Sequence, residues 1–185
     1  MKKLYNKAEL PYIVAVAVLG CLSHFLYEWT GDSAVAALFC PVNESVWEHL
    51  KLLFFPYLFV VIFIYCYEHR TSLSRYFCSR LLAVLFGMSA IVIIFYTYTG
   101  IVGRSFVVLD IFIFFLSVLL AFRAAPVFYR CPFCRNASSL VFTGWIFAVV
   151  CFFFFTCHPP NLPLVFSGIN ILKLWFSYTF LGCII

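Results

Sequence analysis

Five runs of apolar residues follow one another along this chain, at 11–27, 50–67, 81–98, 106–122 and 140–157. Each approaches the ~20 residues that carry an α-helix across the hydrocarbon layer of a bilayer. A soluble domain has no core large enough to bury that many such segments. With 65% hydrophobic residues, 10% charged residues and 25 phenylalanines, the chain stands far from the roughly half-apolar usage of soluble proteins. The predicted fold class is all-α, a polytopic transmembrane helix bundle. A sixth apolar segment, 164–185, is long enough to span but carries Lys173 near its middle, so five or six crossings are expected. The links are too short for a soluble domain, and residues 1–185 read as a single transmembrane domain. Val18-Leu19-Gly20-Cys21 loosely imitates a lipoprotein cleavage site, but the apolar run continues to Tyr27, so a retained first helix is expected.

Orientation follows from the basic residues. Lys2, Lys3 and Lys7 precede the first span, Arg70, Arg75 and Arg80 lie between the second and third, and Arg123, Arg130 and Arg135 lie between the fourth and fifth. Simple alternation puts all of these on one side and leaves Lys51 and Arg104 on the other. Because short cytoplasmic loops collect Lys and Arg, the N-terminus is predicted to be cytoplasmic and the protein to be a multi-pass component of the plasma membrane.

The same alternation gathers polar groups at the outer leaflet. His24 and Glu28 share a face at the end of the first span, at i and i+4. Glu44, Glu48 and His49 open the second span, Asp110 lies about one turn into the fourth, and His158 closes the fifth. Asn43 is the expected N-cap of the second helix, which places Glu44 in its first turn where the helix dipole favours negative charge. Glu48, one turn deeper, lacks so simple an explanation. Asp110, inside a span, is expected to face the bundle and to pair with a partner such as Arg104 or Lys173. Trp29 and Trp47 fit an interfacial aromatic belt.

These residue types bind zinc or another divalent metal, and two histidines with one carboxylate would leave a coordination position open. The candidate ligands are His49, His158, His24 and Glu28, with Glu48, Glu44 and Asp110 as candidate catalytic carboxylates. No His-Glu-x-x-His motif is present.

The cysteines give weaker signals. Cys21, Cys66, Cys78, Cys151, Cys157 and Cys183 lie in or beside apolar runs, where they act as small hydrophobes. A disulfide between Cys40 and Cys157 is geometrically conceivable on the outer side. Cys131-Pro132-Phe133-Cys134 is a C-x-x-C on the cytoplasmic side, without a thioredoxin-like context or a second pair, and reads as incidental.

The block Pro41-Val42-Asn43-Glu44-Ser45-Val46-Trp47-Glu48-His49-Leu50-Lys51-Leu52 resembles the signature of a family of small, uncharacterised bacterial integral membrane proteins. The likeness extends to His24-x-x-x-Glu28 and to Pro159-Pro160 and Pro163-Leu164. That resemblance implies a multi-pass architecture and no assigned activity. The gathering of histidines and an aspartate at one leaflet is loosely similar to membrane ceramidase-like hydrolases, although their paired histidines on one late helix are missing.

The leading expectation is a membrane-embedded, metal-dependent hydrolase acting on a lipid-like or small amphipathic substrate, with no nucleic-acid partner. A transporter or channel subunit is the alternative, weakened by the absence of internal repeats and of matching intramembrane charges in the cytoplasmic half. A partner-binding membrane protein is the third reading.

Overall fold

The computed structural model describes residues 9–68 and 72–159, and every element within them is a helix. In chain order these are α1 (Leu10–Trp29), α2 (Ala34–Phe39), α3 (Val46–Tyr67), α4 (Leu73–Val102), α5 (Val107–Arg130), α6 (Pro132–Arg135) and α7 (Leu140–Cys157). Five of them, α1, α3, α4, α5 and α7, are long and apolar enough to cross a membrane. Helices are what the composition demands, because lipid offers no hydrogen-bond partner to a backbone that does not satisfy itself. The segment 164–185, with Lys173, lies outside the described residues.

α3 is the hub. It packs against α1 on one side and α4 on another, and 61% of its apolar window is buried, against 17% for α1 and α7. Leu53, Phe54, Tyr57 and Val61 of α3 meet Phe122 of α5 and Phe152 of α7 in the core. The outward faces are apolar as well: Val14, Val18, Leu22 and Phe25 form an exposed stripe along α1. Greasy outside and partly ionic inside is the reverse of a soluble domain, and it suits a bundle solvated by lipid tails.

α4 and α5 pack side by side as an antiparallel pair, joined by a short link in which Gly103 takes a left-handed conformation (φ 79°) and its N–H closes on the Thr99 carbonyl at 2.8 Å. α1 lies close enough to α3 that a Cβ on Gly20 would stand 2.7 Å from the Leu52 carbonyl oxygen. After α1, Gly31 and Asp32 both adopt positive φ and turn the chain so that α2 packs against α1 and α7, with Ala37 fully buried.

Two sequence expectations need correction. α4 begins at Leu73 rather than near residue 81, so Arg75 and Arg80 are helical rather than in a loop. Arg80 is also buried: its Nη2 lies 3.9 Å from Glu9 Oε1, and its guanidinium sits over the Tyr76 ring at 5.2 Å. The far end of the bundle, away from the 41–52 block, therefore does carry a charge buried within the helices. A cation held by a carboxylate and an aromatic face has partners enough to stay in a helix.

Candidate functional site

The 41–52 block builds one end of the bundle through local hydrogen bonds. Asn43 Oδ1 accepts the Ser45 N–H at 2.8 Å, and Ser45 Oγ accepts the Glu48 N–H at 3.3 Å. Ser45, not Asn43, is thus the N-cap of α3, two positions later than expected from sequence. The shift exchanges the roles of the two glutamates. Glu48 becomes the first-turn acid, and Glu44 stands before the helix with its side chain 79% exposed.

Glu48 is buried and fully engaged. Its Oε2 accepts Lys51 Nζ at 2.6 Å and the Val42 N–H at 3.1 Å, while Oε1 accepts the Thr156 hydroxyl at 3.1 Å. Lys51, which the alternation of loops places on the outer side, is completely buried. Its ammonium also donates to the carbonyls of Ala37 (2.9 Å) and Cys40 (3.3 Å), the otherwise open C-terminal end of α2. One ion pair thus fastens α2, the loop before α3, α3 itself and α7. Lys51 and Thr156 were not among the residues singled out from sequence. The i, i+3 spacing of Glu48 and Lys51 was the available signal.

With Glu48 committed, Glu44 becomes the carboxylate that faces the histidines. One ligand atom each from His24, Glu44 and His49 lies within 4.8 Å of the others. His49 Nε2 stands 3.3 Å from Glu44 Oε2, and the His24 and His49 rings are 5.4 Å apart, edge to face. The other His49 nitrogen, Nδ1, is 3.0 Å from the Ser45 carbonyl oxygen. A carbonyl only accepts, so Nδ1 carries a proton, and Nε2 faces Glu44 either protonated or with a cation shared between them. The hydrogen bond from His49 holds the Glu44 carboxyl below its ordinary range, against a smaller upward pull from burial.

Glu28 reaches the same neighbourhood from α1, lining a recess of about 70 Å³ with His24, Asn43 and Glu44. A larger cavity of about 310 Å³ opens beside His49 and Glu44, with Asp110 also in its wall and Leu52, Phe95 and Phe114 as apolar lining. Asp110 accepts the Tyr98 hydroxyl, whose oxygen in turn accepts the Phe106 N–H at 3.2 Å. The sequence pointed to Arg104 or Lys173 as the partner of Asp110; the structure puts Tyr98 there. Arg104 stacks over Phe106 instead, and Lys173 lies outside the described residues. His158 is exposed and stacks on Phe154 at 5.3 Å, apart from the His24–Glu44–His49 group. Cys40 and Cys157 are both free thiols, so the disulfide weighed for them is not formed. Trp47 packs on Phe152 and Phe155 rather than facing outward alone.

The chain belongs to a family of unknown function, DUF6512, whose model matches residues 1–172. No curated protein and no solved structure matches it.

Proposed function

Starting from membership in a family without an assigned activity, we propose that this integral membrane protein is a metal-dependent hydrolase of amphipathic, lipid-like substrates. In this reading the site lies at the outer leaflet of the plasma membrane and the N-terminus is cytoplasmic. The observation that carries the reading is the convergence of His24, Glu44 and His49 from α1, the pre-helix loop and α3, with ligand atoms within 4.8 Å. Two imidazoles and a carboxylate suit zinc or a similar ion and leave a position open. A divalent ion at that point supplies Lewis-acid polarisation and a nucleophile at neutral pH.

The chain's own groups have separable tasks. The Ser45 carbonyl fixes the His49 ring so that Nε2 points to Glu44, the backbone-held orientation typical of a ligating histidine. Glu28 lines the same recess as His24, and its task in this reading is to support the ligands from beside them. Asp110, held by Tyr98, faces the cavity as the group that takes up or delivers a proton. Leu52, Phe95 and Phe114 give the cavity the apolar wall an acyl chain needs.

Elemental analysis of the full-length protein, purified in detergent without chelator, is the test. About one divalent ion per chain is expected, lost in His49→Ala and Glu44→Ala but retained in His158→Ala. Occupancy should fall in acid, because protons compete with the ion for its ligands. Asp110→Asn should retain the ion while release of acyl chains from a phospholipid mixture in proteoliposomes falls by about 10²–10⁴-fold. Metal-free wild-type protein would remove the proposal. It would leave a solute path as the second reading, favoured by the buried charges at both ends of the bundle, Glu48–Lys51 and Arg80.

Topology has its own check. Ser105 and Ser138 are exposed at opposite ends of α5 and its flanking turns. In a background without native cysteines, Ser105→Cys should react with an impermeant thiol reagent on intact cells, whereas Ser138→Cys should react only after permeabilisation. The opposite pattern would invert the orientation.

A further inference from the structure

The sequence presents Cys131 and Cys134 as a pair and Cys78 as an apolar filler. The fold re-sorts them. Cys78 in α4 and Cys134 in α6 are both buried, with their sulfurs 2.6 Å apart. Cys131 is half-buried and lies at the mouth of the same turn, as the residue preceding α6. Neighbouring contacts hold the two segments in place: Arg75 Nε donates to the Tyr129 carbonyl at 2.9 Å, and its guanidinium covers the Tyr129 ring at 4.2 Å. The three thiols do not gather tightly enough to ligate one ion, since among the described residues His24, Glu44 and His49 form the cluster that does.

We propose that Cys78 and Cys134 are a reversible disulfide-forming site at the far end of the bundle, and that Cys131 is the thiol through which a low-molecular-weight disulfide reaches it. Burial pushes the Cys134 thiol up to about 12, with the adjacent Cys78 sulfur adding to the effect, so Cys134 is a slow first nucleophile. Cys131 is the more accessible entry. Its thiolate attacks one sulfur of the small disulfide, whose S–S bond breaks and whose other half leaves as a thiol. Cys134 then attacks the Cys131 sulfur and expels the second small thiol. Cys78 attacks the Cys134 sulfur and releases Cys131 as a thiol again. The small disulfide is reduced by two electrons to two thiols, the Cys78–Cys134 pair is oxidised, and no proton is gained or lost overall. A poorly acidic Cys134 is also a poor leaving group, which slows the return once the bond has formed.

The product ties α6, and with it the turn between α5 and α7, covalently to α4. On the orientation that the basic residues predict, this end faces the cytoplasm, where thiols are normally kept reduced. The bond would then record an oxidative challenge rather than a resting state.

The test uses the full chain in native membrane vesicles, exposed to oxidised glutathione, quenched with acid, alkylated and mapped by mass spectrometry. A Cys78–Cys134 cross-linked peptide is expected as the main product, reversed by dithiothreitol. Cys131→Ser should yield the same cross-link at least about tenfold more slowly. Free, alkylated Cys78 and Cys134 in the oxidised wild type would overturn the site, as would a Cys131–Cys134 disulfide as the end product. An unchanged rate in Cys131→Ser would overturn the relay. The wild-type map requires no variant, so a folding failure in a mutant leaves the test intact.

Discussion

Lys51→Met lowers the stability of the folded bundle by about 3–5 kcal/mol, because it leaves the Glu48 carboxylate buried without its counter-charge. Lys51 and Glu48 are 0% and 2% exposed at the side chain, so water cannot take the place of the missing partner. The carbonyls of Ala37 and Cys40 also lose their donor, at about 1–3 kcal/mol for each group left unsatisfied. Methionine keeps much of the side-chain volume, so packing alone does not account for the loss. Removing the charge on both sides, in Glu48→Gln/Lys51→Met, should restore a large part of the stability, since the amide still accepts from Thr156 or Val42. Thermal unfolding of the two variants in the same detergent checks this. A double variant no more stable than Lys51→Met would mean that the pair is not coupled.

Gly20→Val is expected to be as damaging by another route. A Cβ at residue 20 would stand 2.5 Å from Phe114 Cζ and 2.7 Å from the Leu52 carbonyl oxygen. The ring can rotate away; a carbonyl inside α3 cannot. α1 must then separate from α3, with an overpacking cost of about 1–3 kcal/mol or more, as expected where small residues let helices approach closely in membranes. His24 lies one turn beyond Gly20 on α1, so the same separation withdraws it from His49 and Glu44. Loss of the ion proposed for this site, measured by elemental analysis of whatever folded fraction remains, is the functional readout. Gly100→Ala is the control: nothing lies within 4 Å of the added carbon, and stability should hold or rise by about 0.5–1 kcal/mol.

The spans were legible because lipid imposes one rule along a whole helix. The run 140–157 coincides with α7, and 11–27 and 50–67 fall inside α1 and α3; the run 106–122 matches only the first part of α5, which starts at Val107 and continues to Arg130, so that Arg123 and Arg130 are helical rather than in a loop. α4 was cut short at residue 81 because Arg75 and Arg80 break the apolar pattern, and two of the groups that stabilise them, Tyr129 and Glu9, are remote in sequence. α2 was invisible for a different reason. Six apolar residues are too few to show a period of their own, and the helix is fixed by tertiary contacts, including the Lys51 bonds to the carbonyls at its end. At the site, counting loops was enough to predict that histidines and carboxylates share one end. It could not tell which carboxylate is spoken for. That choice rests on a two-residue shift of the N-cap from Asn43 to Ser45, which turns Glu48 inward and leaves Glu44 to the histidines. His158 shares that end of the chain's alternation but not the cluster, because α7 uses Thr156 for its contact with Glu48 and leaves His158 stacked on Phe154.

α4 has 30 residues, so at 1.5 Å per residue it is about 45 Å long. The hydrocarbon layer is about 30 Å thick, and fitting the whole helix inside it would need a tilt steeper than the usual range of up to about 40°. At least one end of α4 therefore stands in the headgroup region. Ile91 and Phe95 of this helix line the cavity beside His49, and Cys78 lies toward its other end. A rigid rod longer than its slab responds to slab thickness by changing its inclination. Bilayer thickness is then expected to act on the inclination of α4, the one helix that carries Ile91 and Phe95 at the cavity and Cys78 at the thiol pair.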